Sequence, residues 1–340
     1  MVALRAGSRY GRLLRRLAPR LLGPAILALL LVRVPGARAL NAVAAARVLP
    51  FVGALALLLP LLIVRTHRWA ILVRAQSLHL SAAEALAVYA FSVFAGTATP
   101  GRLGEFVKVV HLRQRGLSFG RAFATVFLDR FLDVVILVAM AAWGLAWFAG
   151  LRALPAVALA VVATGATILV LRGLASGEGN GRLRRIVERV MPWRFASAAE
   201  AGLRDFGRAV AALAPSVVAL AVVESVVGWL LNWSALALLA SAIGIHVSFA
   251  YLAASASVCG LLAMLPVSIL GLGTRDATLV VMLGRVGVAP ADALAFSLMN
   301  LILLVAYGLI CSLSLFSPTT RLEARTVRKE MGHRPPEPSS

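Results

Sequence analysis

The chain has 340 residues, of which 61% are hydrophobic and 14% charged, and a formal net charge of +20. That composition is of a polytopic membrane protein, and the polar segments are too short to make a second globular domain. The basic excess falls in short patches between apolar runs with no aromatic-basic module beside it, so anionic lipid and membrane topology account for it and nucleic acid does not.

Residues 1–19 read as a basic cytoplasmic N-terminus. The run RLLRRLAPR, then LLGPAILALLLV, then an A-x-A at Ala37 to Ala39 has the layout of a signal peptide. A retained first helix is the favoured expectation, and cleavage would leave the remaining topology unchanged. With about 20 apolar residues to a span, full crossings are expected near 20–34, 49–64, 122–149, 153–171, 210–243 and 291–316. Two further apolar stretches, 84–105 and 250–285, are interrupted by TPGRLGE and GLGTRD. Irregular backbone at membrane depth survives only against protein or a water-filled cavity, so both are expected as re-entrant hairpins. The fold class is therefore all-α: a transmembrane domain over residues 20–316 with about six full helices and two inverted re-entrant helical hairpins.

Charge supports this topology. With both hairpins re-entrant, segments 1–20, 65–83, 106–121, 172–208 and 321–340 are cytoplasmic and hold 26 basic residues between them. If 84–105 crossed instead, the arginine-rich 106–121 segment would move outside and 172–208 would follow it. Within the basic loop 173–208, LRRIVERV could lie as an amphipathic helix with Arg182, Arg184, Arg185 and Arg189 on anionic head groups, or serve as an ordinary basic connector. The tail 317–340, ending HRPPEPSS, reads as disordered and cytoplasmic. Both termini then face the cytoplasm of a multi-pass protein of the cell membrane.

An ionisable side chain at mid-bilayer costs about 2.5 to 3.5 kcal/mol. Arg102, Glu105, Asp129, Arg130 and Asp133 lie within or beside apolar segments, so they must meet one another or water. In FATVFLDRFLDVVILV, Asp129 and Asp133 share a helix face at i, i+4 and Arg130 neighbours Asp133 at i, i+3. In TPGRLGE, Thr99 is an expected N-cap and Pro100 the first helical residue, so free N–H groups and the positive helix end would make an anion site. Arg102 adds a planar fork suited to phosphate, Gly101 and Gly104 permit close approach of a ligand or helix, and Glu105 would tether Arg102 or accept a proton. In ILGLGTRDATLVVML, Gly271 and Gly273 break the helix, Thr274 is expected to cap its restart, and Arg275 with Asp276 charges the first turn. Glu224 either faces the same cavity or bonds a neighbouring helix. These residues form a substrate-binding set for an anionic or phosphate-linked lipid head group; the competing reading is a buried network that binds nothing.

Other chemistries find little support. Cys259 and Cys311 read as buried, inert thiols, and the five histidines form no metal-ligand pattern. No GxxxxGK[ST] loop is present, and no nucleophile-base pair or cofactor motif argues for an enzyme. Trp143, Trp147, Trp229 and Trp233 read as interfacial or packing aromatics.

The segments P-G-R-L-G-E at 100–105, D-R-F-L-D at 129–133, L-P-V-S-I-L-G-L-G-T-R-D at 265–276 and R-T-H-R-W at 65–69 resemble the signatures of the lysylphosphatidylglycerol synthase transmembrane region, a flippase-like membrane family. The resemblance spans about residues 20 to 316. It implies a domain that moves a lipid between leaflets, here a stand-alone unit without the soluble transferase domain of aminoacyl-lipid synthases. The chain departs from the family pattern at Asp129 and Asp276, where Glu is usual, at Leu270, where a second glycine is usual, and at Asn232, where Glu is frequent. A lipid translocator is the leading expectation. The alternative is a non-transporting partner that presents lipid to a glycosyltransferase or another envelope-biosynthesis enzyme.

Overall fold

The computed structural model describes residues 36–97, 99–149, 193–263 and 273–316, with 158, 165–170 and 173 between them. The expected crossing at 20–34, most of that at 153–171, the loop up to Pro192, Gly271 and the tail from 317 lie outside the described residues. All regular structure among the described residues is helical. In chain order the helices are α1 (Gly36–Ala44), α2 (Val48–Ala56), α3 (Leu58–Arg74), α4 (Ala82–Thr97), a 3-10 segment (Pro100–Phe106), α5 (Val107–Gln114), α6 (Phe119–Ala149), α7 (Trp193–Ala211), α8 (Pro215–Ala242), α9 (Phe249–Ala263), α10 (Thr274–Gly284) and α11 (Pro290–Ser312), which ends in a 3-10 turn (Leu313–Phe316).

Three helical stretches are long and apolar enough to cross a membrane: Val48–Arg74, Pro215–Ala242 and Pro290–Leu315. The helices α4 and α9 are apolar but shorter. At 31 residues, α6 is about 46 Å long. It carries Arg121, Asp129, Arg130 and Asp133 in its first half. The helix α8 packs along α2 and α3, α6 lies between α7 and α9, and α11 meets α1, α4 and α10. Large apolar side chains such as Leu49, Ile63, Val223 and Leu309 point outward, each more than half exposed, which is the surface hydrocarbon requires.

The second expected crossing, 49–64, extends further than the sequence suggested. Hydropathy ends it at 64 and assigns 65–83 to a cytoplasmic loop, yet α3 runs on to Arg74 with Arg65, Thr66, Arg68 and Trp69 buried. Arg68 turns inward to carboxylates and Arg65 to the Trp229 ring, so these charges neither end the helix nor report topology. Likewise 106–121 is not a plain loop, because α5 buries Lys108, Val109, His111 and Leu112. Glu84, whose N–H is capped by the Ser81 hydroxyl at 3.2 Å, accepts from His111 Nε2 at 3.0 Å and pairs with Arg115. That contact fastens α5 to the start of α4.

After α4 the chain folds back on itself. Thr99 is extended at φ −120°, ψ 141° and Pro100 opens the next turn. The Thr99 hydroxyl donates to the Ala95 carbonyl at 3.1 Å and accepts the Gly104 N–H at 2.7 Å. The expected α-helical restart at Pro100 is instead a 3-10 segment in which Arg102 takes φ +57°. The α-helix begins only at Val107, so no α-helical N-terminus with its aligned dipole stands at Pro100. A Cβ on Gly104 would fall 2.2 Å from the Ala95 carbonyl oxygen, and one on Gly96 2.7 Å from Glu105 Cγ. Glycine at 104 therefore serves this backbone-to-backbone approach, so of the two expectations for it, a ligand or a helix, it is the helix α4 that comes close.

The two faces of α6 divide its work. Phe119, Phe123, Phe127 and Phe131 stack at 5.8, 6.1 and 6.0 Å in succession, and Phe206 of α7 meets Phe127 edge-on at 5.5 Å. At Gly120 a Cβ would sit 2.2 Å from the Gly202 carbonyl, so α7 lies tightly on this face. Asp129 and Asp133 occupy the inner face, 0% and 1% exposed.

Gly104→Ala is expected to destabilise the protein by about 2 to 3 kcal/mol through overpacking of the turn. Gly202→Ala, inside α7 with nothing within 4 Å of its Cβ, should instead stabilise by about 0.5 to 1 kcal/mol. Equilibrium unfolding in mixed micelles measures both.

Candidate functional site

Arg68 is fully buried on α3, and its guanidinium is nearly saturated. Nε donates to Asp129 Oδ1 at 2.9 Å, Nη1 to Asp133 Oδ1 at 2.7 Å and to Ser225 Oγ at 2.8 Å, and Nη2 to the Asp129 carbonyl at 3.1 Å. One side chain thereby joins α3, α6 and α8. Lys108 Nζ donates to the other Asp129 oxygen at 2.9 Å and lies 4.3 Å from the Tyr89 ring centroid and 5.6 Å from that of Trp69. Two aromatic faces and one carboxylate solvate an ammonium that no water reaches.

Arg130 forms the next layer. It contacts Glu105 Oε2 at 2.9 Å, Asp129 Oδ2 at 3.2 Å and Asp133 Oδ2 at 3.4 Å, and donates to the Tyr89 hydroxyl at 3.1 Å. Arg102 stands outermost. Its side chain is 41% exposed and reaches Glu105 only at 3.7 Å.

The second break has its own lock. The N-cap of α10 is Gly273, at φ +80°, and not Thr274, which is already helical. The cap is supplied from within the helix, since the Gly273 N–H donates to Asp276 Oδ2 at 2.8 Å. Asp276 also receives Arg275 Nη2 at 2.8 Å and the Ser297 hydroxyl. A carboxylate one methylene shorter than Glu reaches its own helix start and fixes it to α11.

Between these layers lies a cavity of about 140 Å³. Among the described residues its polar wall is Arg65, Arg102, Arg130, Arg275, Asp133, Thr99, Asn232 and Asn300, with Trp229 beside them, while Leu137, Leu236, Leu279 and Phe296 close the apolar side. Four guanidiniums against one carboxylate suit an oxyanion. Of the residues singled out from sequence, Thr99, Arg102, Arg130, Asp133 and Arg275 share this cavity. Gly104, Glu105, Asp129, Gly273, Thr274 and Asp276 stand behind it as packing or charge partners. Pro100 and Gly101 are described by backbone only.

Sequence reasoning missed Arg65, Arg68 and Lys108. The signal was there: Leu58, Leu61, Leu62, Arg65, Trp69 and Leu72 recur three or four residues apart, one helix face carried straight through R-T-H-R-W. Trp229, read as a packing aromatic, lies under the Arg65 guanidinium at 5.2 Å on the cavity wall. Glu224 bonds a neighbouring helix, its Oε1 2.5 Å from His67 Nδ1 on α3. Cys259 and Cys311 are buried. Among the described residues no group of three His, Cys, Asp or Glu side chains is placed to hold a metal ion.

Removing one partner of a buried pair strands the other charge, at about 3 to 5 kcal/mol. Arg68→Ala should therefore lower unfolding free energy by that amount, whereas Arg204→Ala, in an exposed pair with Glu200, should change it by less than about 1 kcal/mol. Mixed-micelle unfolding again provides the measurement.

The family model described as the lysylphosphatidylglycerol synthase TM region matches residues 16–311. No curated protein and no solved structure gives a match. The matched region takes in α3 with Arg68, both sequence breaks and the acid-bearing α6. The chain belongs to the lysylphosphatidylglycerol synthase transmembrane-region family, and is a helical membrane protein of that family.

Proposed function

We propose that the protein is a lipid translocator: an anionic or phosphate-linked head group enters the arginine-lined cavity from one leaflet while its acyl or prenyl chains stay in the bilayer. The observation that carries this reading is the convergence of Arg65, Arg102, Arg130 and Arg275 on one cavity, drawn from both interrupted segments and from α3 and α6. Arg102, exposed and loosely held by Glu105, makes the first contact. Arg130 and Arg275 receive the phosphate deeper, and Asp133 stands beside them as their counter-charge. Asp129, Glu105 and Asp276 position the arginines without touching lipid.

In this reading 84–105 and 250–285 are inverted re-entrant hairpins, and rocking about them alternates access. The lengths of α4 and α9, 16 and 15 residues, support it, since each reaches only about 24 Å of a hydrocarbon core about 30 Å thick. The sequence holds no GxxxxGK[ST] loop, so transport by this chain alone is not powered by its own nucleotide hydrolysis.

In reconstituted vesicles, fluorescent anionic phospholipid should equilibrate between leaflets at least tenfold faster with the protein than with the Arg102→Ala, Arg130→Ala double variant. Equal rates across several anionic head groups would end the proposal. The hairpin arrangement has a separate check. Single cysteines at positions 99 and 263, one from each interrupted segment and both on the cavity wall, should both react with a water-soluble maleimide and be protected together when the cavity is filled. Labelling of only one, or protection of neither, would rule out a shared cavity.

A further inference from the structure

The cavity wall carries N–H donors with nothing to receive them. Arg65 is 7% exposed and lines the cavity. It stacks on Trp229, makes no ion pair among the described residues, and buries an Nε that has no acceptor. Arg130 Nε and Trp229 Nε1, on two further lining residues, are also buried without an acceptor among the described residues. All three groups can only donate. What each lacks is an oxygen, and an incoming ammonium group could not supply one; it would have to turn to the acceptors of Asp133, Asn232 and Asn300 instead.

Charge points the same way. Around the cavity Arg65, Arg68, Arg102, Lys108, Arg130 and Arg275 stand against Glu105, Asp129, Asp133 and Asp276, six cations against four carboxylates. The excess of two surfaces at Arg65, whose neighbouring acid Asp133 is already paired with Arg68 at 2.7 Å and Arg130 at 3.4 Å, and at Arg102, whose acid Glu105 is already held by Arg130 at 2.9 Å. Tyr307, its buried hydroxyl also without a hydrogen bond, lies within electrostatic reach of both arginines. A buried cation left without a counter-charge is costly, and a ligand that brings the charge recovers that cost.

Resting on the head-group reading above, we infer that the cavity selects lipids whose head group ends in a doubly charged phosphate, a phosphomonoester or a pyrophosphate. It discriminates against an aminoacylated head group. A lysyl ester of phosphatidylglycerol brings two ammonium groups against one phosphodiester, which places positive charge and further donors on a wall already rich in both. Arg65 and Trp229 are the residues that read the difference.

The test uses the full chain in phosphatidylcholine nanodiscs with a fluorescent phosphatidic acid probe, displaced by unlabelled phosphatidic acid, phosphatidylglycerol, lysylphosphatidylglycerol or inorganic pyrophosphate. Phosphatidic acid should displace at a mole fraction at least tenfold below that of phosphatidylglycerol, and lysylphosphatidylglycerol should displace least. Arg65→Gln should weaken phosphatidic acid at least tenfold and Arg65→Lys less. Trp229→Phe, which keeps the ring under Arg65 and removes one N–H, should weaken it about threefold. The inference is overturned if lysylphosphatidylglycerol competes as well as phosphatidic acid. It is also overturned if folded Arg65→Gln and Trp229→Phe proteins bind as the native one does. Pyrophosphate displacing the probe as well as the lipid would reassign the site to a soluble anion and equally overturn it. Because this is an equilibrium binding measurement, absent transport in vesicles would count against translocation and leave the head-group preference standing.

Discussion

A guanidinium in a place water does not reach must have its charge and its donors answered by protein, and Arg68 sets that condition for the molecule. Asp129 and Asp133 have to lie four residues apart on one helix to receive it. Ser225 of α8 has to face it from the other side. Once Asp129 is committed, Lys108 can be buried against its second oxygen, and α5 is thereby drawn under the fold-back that follows α4. Arg130 then finds its carboxylates already placed. The order of dependence runs from the deepest charge outward, and the residues bordering the cavity are the last in it.

Close backbone approach is the second constraint. The turn at Thr99 to Gly104 and the crossing of α6 and α7 at Gly120 both bring backbones to distances that a Cβ would forbid. Both contacts bracket the charged stretch of α6, one through Glu105 and one through the phenylalanine ladder. Polar pairing and tight packing of small residues together replace a hydrophobic effect that lipid surroundings do not supply between helices.

Much of this was legible in the sequence. Apolar length marked the segments now seen as α6, α8 and α11, and the two interruptions by glycine, threonine and arginine marked the places where helices break. The i, i+4 spacing of Asp129 and Asp133 put both acids on one inward face. The limits of α3 and α5 were not legible, because hydropathy and charge counting assign every arginine to water. The acids held a clue: Glu105, Asp129 and Asp133 outnumber Arg102 and Arg130 by one, so a further cation had to come from elsewhere. Apolar spacing through R-T-H-R-W named its helix. The 3-10 path of Pro100 to Phe106 and the left-handed Arg102 were beyond reach, since they follow from Gly104 packing on Ala95, a contact with no local signature.

Arg68 also has a mechanical meaning. Its bonds weld α3, α6 and α8, and Phe206 with the Gly120 contact rivets α7 to the same block. On the opposite side, the Asp276 lock makes α10 and α11 a second rigid piece. Between α6 and α9, Leu137 faces Gly260, where an added Cβ would stand 3.4 Å from the leucine methyls. On another flank, α6 is tied to the fold-back after α4 by Arg130 with Glu105 and to α5 by Asp129 with Lys108, each at 2.9 Å. In the proposed translocator, any movement of the fold-back against α6 would have to break or carry along the ion pair of Glu105 with Arg130, a residue of the cavity wall.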